Sequence, residues 1–115
     1  MQLNQSRYTT GNLIRLDMQV NGQAKVDLYV AIIFPDGDFM TIAYPLTFSW
    51  PNAIQVYQPN VEIASPKNYP IMDFPLPADI AKGQYQAYGV LVTAGTDPND
   101  RNNWSHFDSE GFEVY

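Results

Sequence analysis

Between Thr96 and Asn103 the chain reads Thr-Asp-Pro-Asn-Asp-Arg-Asn-Asn, and side-chain oxygens from Asp97, Asn99, Asp100, Asn102 and Asn103 fall within one short run. Hard cations take oxygen ligands, so calcium is the ion such a loop would hold, with Asp97, Asn99, Asp100 and Asn102 as its candidate ligands. The spacing departs from the helix-loop-helix calcium loop. Arg101 sits at the fifth position counted from Asp97, Asn102 replaces the glycine at the sixth, and Asp108 at the twelfth reaches less far than glutamate. The same residues also describe a surface connection built on Asx turns, because Asn and Asp bond their own backbone. No cofactor other than calcium is indicated.

Asp36 and Asp38 flank Gly37 and would offer two carboxylates, but a Pro35-Asp36-Gly37 turn explains them without a ligand. His106, the sole histidine, has Ser105 and Asp108 nearby, yet no serine lies in a G-x-S-x-G frame. One histidine and no cysteine cannot furnish the usual zinc ligands. The remaining chemistry is aromatic. Trp50 and Tyr57 lie in a proline-rich middle region, and Trp104 follows the Asp97 run. Rings on loops stack on sugars or anchor protein partners, which makes Trp50, Tyr57 and Trp104 the candidate ligand-binding residues. Alternatively, the middle rings cover the open end of a core and Trp104 fixes a long loop to it.

Composition limits the partners. The formal charge is −6, with six basic residues against twelve acidic ones. The cations are scattered, so nucleic acid is not expected as a partner. No apolar run approaches the length of a membrane span, and membrane insertion is not expected either. Sixteen aromatic residues among 115, with 16% charged, describe a packed β-rich chain.

The elements that must position these residues are strands. Ile14, Leu16, Met18 and Val20 alternate with Arg15, Asp17 and Gln19, predicting a half-buried strand over Leu13 to Val20. Asn21-Gly22 reads as a hairpin turn. A second strand follows from Val26, with Val26, Leu28, Val30, Ile32 and Phe34 inward. Its other face, Asp27, Tyr29, Ala31 and Ile33, begins polar and turns apolar, as in a central strand covered on both sides. Phe39 to Tyr44 is a third strand. Residues 45 to 77 hold seven of the nine prolines and predict loops and edge strands, with short strands at Val61 to Ala64 and Ile71 to Leu76. A strand over Gln84 to Thr93 follows, then a polar loop from Ala94 to Ser109 and a last strand from Gly111 to Tyr115. The fold class is therefore all-β, a two-sheet antiparallel sandwich of about seven strands in one domain over 1–115, with 1–10 as a flexible lead-in.

Ile80-Ala81-Lys82-Gly83-Gln84-Tyr85-Gln86-Ala87 resembles the entry to the penultimate strand of immunoglobulin-like and macroglobulin-like domains. The resemblance implies a tyrosine corner, in which the Tyr85 hydroxyl bonds back to the preceding turn. Ala87 stands where true immunoglobulin domains have cysteine, so their disulfide is missing. Together with Val26 to Val30, Phe34 to Gly37, and Gly95 to Pro98 with Asn103-Trp104-Ser105, the segment resembles an accessory module of bacterial exported and surface proteins. What this implies is a non-enzymatic role in docking, spacing or recognition, with a protein or glycan partner. It also implies an extracellular, periplasmic or cell-surface setting within a larger exported protein. A carbohydrate-binding module with a structural calcium is one alternative. A sandwich that inhibits a protease through the Ser49 to Asn60 segment is another, and a small hydrolase is the remotest.

Overall fold

The computed structural model describes residues 1–20, 24–44, 47–48, 54–63 and 67–115. Asn21-Gly22, Trp50 and the first part of the Ser49 to Asn60 segment lie outside these. Among the described residues the strands are β1 (Gln2–Leu3), β2 (Arg7–Tyr8), β3 (Leu13–Val20), β4 (Ala24–Ile33) and β5 (Phe39–Ala43), then β6 (Thr47–Phe48), β7 (Gln58–Ile63), β8 (Lys67–Pro75), β9 (Gly83–Thr93) and β10 (Trp104–Val114). A 3-10 turn at Arg101–Asn103 precedes β10.

The strands form two sheets. The smaller has the order β1-β3-β8 and the larger β2-β10-β9-β4-β5-β6, with β7 paired to the first half of β4. The chain changes sheet at once: β1 runs antiparallel to β3, and β2 then runs parallel to the end of β10. The first ten residues are thus pinned to both sheets instead of trailing as a lead-in. Tyr8 is fully buried, and its hydroxyl donates to Asn4 Oδ1 at 2.7 Å.

Alternation built the core as the sequence predicts. Ile14, Leu16, Met18 and Val20 of β3 face Val26, Leu28, Val30 and Ile32 of β4 and Tyr85, Ala87 and Leu91 of β9 in one hydrophobic cluster. A Cβ built at Gly89 would lie 2.6 Å from Met18 Sδ on the opposite sheet, so any larger residue there must displace the buried Met18 side chain. At the turn, Gly37 donates its N–H to the Phe34 carbonyl with φ of 93°, and Asp38 N–H bonds Asp36 Oδ1. Asp36 is thereby used as a turn residue.

Three expected boundaries are corrected, and the described residues hold ten strands, not about seven. The strand predicted over Ile71 to Leu76 begins four residues earlier and runs Lys67–Pro75, because its ladder to β3 extends to Lys67 opposite Val20. The last strand begins at Trp104, seven residues before Gly111. Residues Ser105, His106, Phe107, Ser109 and Glu110 are exposed, and a strand with little buried on either face has no alternation to read. The short strand predicted at Val61 starts at Gln58, because the ladder to β4 extends to Gln58 opposite Leu28.

Candidate functional site

The outer face of the larger sheet, the one turned away from the core, carries the most distinctive chemistry. Strand register sets its side chains in rows across β10, β9 and β4. Trp104 lies opposite Val92, which lies opposite Asp27; Phe107 lies opposite Val90, then Tyr29. The next row is Ser109, Tyr88, Ala31 and, on β5, Thr41, followed by a row in which Ile33 meets Phe39. These rows form a hollow of about 630 Å³, closed at one side by Ile54 and at one end by Pro98, Asn99 and Arg101.

Three rings run along the β10 side of the hollow. Phe107 stacks on Tyr88 with centroids 5.2 Å apart and on Trp104 at 5.9 Å, with interplanar angles of 28° and 21°. Such separations at small angles are offset stacks, which hold each ring by its neighbours. The Arg101 guanidinium lies 5.4 Å from the Trp104 ring centroid, a cation–π contact that aims the cation along the hollow's edge. Phe107 is 47% exposed even so.

Asp27 holds the end of the site in place. It is 8% exposed, and its two oxygens accept backbone N–H groups from a strand and a loop: Asn60 of β7 at 2.9 Å and Gly95 at 3.0 Å. The second bond fixes the start of the loop that carries Pro98, Asn99 and Arg101. Within that loop, Asp97 Oδ1 accepts from Asn99 N and Asp100 Oδ1 from Asn102 N, both Asx turns, and the Trp104 indole donates to the Pro98 carbonyl at 2.7 Å. Burial, with the fields of Asp27 and Asp97 added to it, pushes the Tyr29 hydroxyl above its ordinary pKa.

The structure separates the residues that sequence reasoning grouped. Trp104 lines the hollow and also anchors its loop through the Pro98 carbonyl. Tyr57 is corrected from a ligand platform to a core residue. It is 4% exposed, packed edge-on to Tyr44 at 5.8 Å, and its backbone N–H donates to the Leu28 carbonyl. That bond, with Gln55 N–H on Thr41 Oγ1, ties residues 54–60 down against the larger sheet, where an inhibitory loop would have to protrude. Of the proposed calcium ligands, Asp97 and Asp100 each commit one carboxylate oxygen to the turns. Among the described residues no three or more His, Cys, Asp or Glu side chains converge on a point. His106 is exposed on β10, while the Ser105 hydroxyl donates to the Leu91 carbonyl.

Sequence reasoning missed Tyr88, Phe107 and Arg101. The available signal was the second apolar face of β4 and β9, Ala31 and Ile33 beside Tyr88, Val90 and Val92, which reads equally as a covered central strand.

No protein-family model matches the chain, and no curated protein matches it. Among solved structures it is similar to the sporulation control protein Spo0M from Bacillus subtilis, at 14% sequence identity and a TM-score of 0.45. The match covers 98% of this chain and 46% of that one, so the chain spans under half of that structure's length.

Proposed function

We propose that this chain is a non-catalytic recognition module of immunoglobulin-like topology, serving a bacterial exported or cell-surface protein through the outer face of its larger sheet. The observation behind this reading is the contrast between two outer faces of one molecule. On the smaller sheet the outward positions are mostly polar, Arg15, Asp17 and Gln19 with Asn68 and Asp73, interrupted by Leu13, Pro70 and Pro75, and Arg15 pairs with Asp73 at 3.4 Å. This is the usual polar exterior of an antiparallel sheet. On the larger sheet the corresponding positions are Ala31, Ile33, Val90, Tyr88 and Phe107. A contiguous apolar exterior adds nothing to solubility and marks a contact site.

The immunoglobulin-like assignment draws on the sheet change between β1 and β2, the parallel pairing of β2 with the last strand, and the Tyr85 hydroxyl bonded to the Ala81 carbonyl at 2.5 Å. The exported setting rests on the resemblance of the turn signatures alone. The non-catalytic reading is favoured by the separation of Ser105 and His106 into different contacts.

The test is a charge placed on the floor of the hollow. Val90→Lys projects from the outer face, so thermal melting should stay close to that of the parent chain. Binding of a neutral apolar dye, phenylnaphthylamine, should be lost. A parent chain that binds no such dye, or a variant that binds it equally well, would refute the assignment of this face.

A further inference from the structure

We propose that the hollow on the larger sheet binds a small amphipathic carboxylate, with its acid on Arg101 and its apolar body along Tyr88, Phe107 and Trp104. The inference rests on the recognition reading above and names its ligand class.

Charge selects the acid. The chain has twelve acidic residues and a formal charge of −6, yet among the described residues no acid lines the hollow and the one charged residue that does is Arg101. Of the carboxylates on the flanking strand and loop, Asp27, Asp97 and Asp100 each accept backbone amides. Arg7 and Arg15 are paired with Glu113 and Asp73, whereas Arg101 makes no ion pair with any described residue. Its contact is the face of Trp104, which leaves the planar edge with its N–H donors open. An arginine so held presents two parallel donors to a carboxylate.

Shape and polarity select the body. About 630 Å³ falls within the range of pockets that take small molecules. Ala31, Ile33, Val90 and Val92 give the hollow an apolar base beside the hydroxyl-bearing Tyr29, Thr41 and Tyr88, and the backbone groups beneath are engaged in the β4–β9 and β9–β10 ladders. An extended peptide laid on this base would find too few partners for its own amides, which is costly. A sugar would likewise bury hydroxyls against methyl groups. An acyl chain or aryl ring has no such groups, and its contact with stacked rings is favourable.

The experiment uses the intact chain and two fluorescent probes of like shape, the anionic anilinonaphthalene sulfonate and the neutral phenylnaphthylamine, with decanoate, decanol and a cello-oligosaccharide as competitors. Decanoate should displace both dyes more strongly than decanol. Arg101→Gln, an exposed substitution, should weaken decanoate and the anionic dye about tenfold while leaving the neutral dye unchanged, the loss expected for one charge-assisted contact. Phe107→Ala should weaken both dyes. Equal competition by decanoate and decanol, or no effect of Arg101→Gln, would overturn the carboxylate assignment while neutral-dye binding upheld the site. Displacement by the oligosaccharide but not by decanoate would overturn it in favour of a glycan. Failure of the neutral dye to bind removes the recognition reading and this inference together.

Discussion

Removing the Asp27 carboxylate should destabilise the chain far more than its place at a sheet margin implies. Asp27→Ala deletes the acceptor of two part-buried backbone N–H bonds, those from Asn60 and Gly95. A bond to a charged acceptor contributes about 1.5–3 kcal/mol. Water reaching the loops returns part of that, and about 2–4 kcal/mol is the expected total loss. For a chain of this size, roughly 4 °C per kcal/mol makes the drop in Tm about 8–16 °C. Asp27→Asn keeps one acceptor oxygen and turns an amide donor toward the other N–H, so its cost falls between that of the parent and that of the alanine variant. Urea unfolding followed by tryptophan fluorescence gives both values, and the slope should not change. Because the Gly95 bond also holds the loop bearing Arg101, dye binding to the hollow should weaken at temperatures where Asp27→Ala is still folded. An alanine variant within about 0.5 kcal/mol of the parent, the level of an ordinary surface change, would refute the bridging role.

Gly89→Ala should cost about 1–3 kcal/mol by driving a Cβ into Met18, which is buried at 1% exposure, and Met18→Ala should rescue it in a non-additive double mutant read by urea denaturation. Tyr85→Phe leaves the ring stacked on Phe112 at 5.0 Å and removes only the bond to Ala81, so calorimetry should show a loss of about 0.5–1.5 kcal/mol. Burial raises the hydroxyls of Tyr8, Tyr29, Tyr57 and Tyr85 above the ordinary 10.0. The folded chain holds these protons more tightly than the unfolded one, so their stabilising effect is complete below pH 10.0 and fades as pH rises through the folded values. Urea midpoints should be flat in mildly alkaline buffer and fall beyond it, together with tyrosinate absorbance. Millimolar calcium should leave Tm unchanged, since Asp97 and Asp100 are already committed to the turns at Asn99 and Asn102; an increase would assign the ion to their remaining oxygens.

Local chemistry was legible in the sequence and lateral neighbourhood was not. Leu13 to Val20 could be assigned to the residue because every second side chain is buried. The Pro35-Asp36-Gly37 turn and the Tyr85 corner were equally plain, since each is made within five residues. The hollow, by contrast, depends on β10 lying beside β9 and β5 beside β4, and no periodicity reports which strands are adjacent. Phe107 stood in a polar run and Tyr88 in an alternating strand, and only strand order brings their rings together. Asp27 was visible as the polar start of an otherwise apolar face. Its two bonds span 33 and 68 residues of sequence, beyond any local pattern.

The free sheet edges argue that contact is made through side chains and not by strand addition. In the smaller sheet β8 is an edge strand, and Pro70 and Pro75 interrupt the donors it would offer a visiting chain. In the larger sheet β2 covers β10 only at Glu113 and Val114, leaving the stretch from Trp104 to Phe112 without a ladder partner on that side among the described residues. That stretch is guarded in two ways. Its register shifts between Trp104 and His106, which twists the edge. It also bears Asp108 and Glu110, and the N-terminal amine of Met1 bonds Asp108 and holds its carboxyl below the ordinary value. A strand docking here would meet charge and an irregular edge. Both guards stand beside the ring run and neither intrudes on the hollow, so the same strand that resists a β partner keeps its aromatic face open. Phe107 meets both conditions: it is the exposed large hydrophobic side chain of β10, on an edge protected from pairing, and the central ring of the stack.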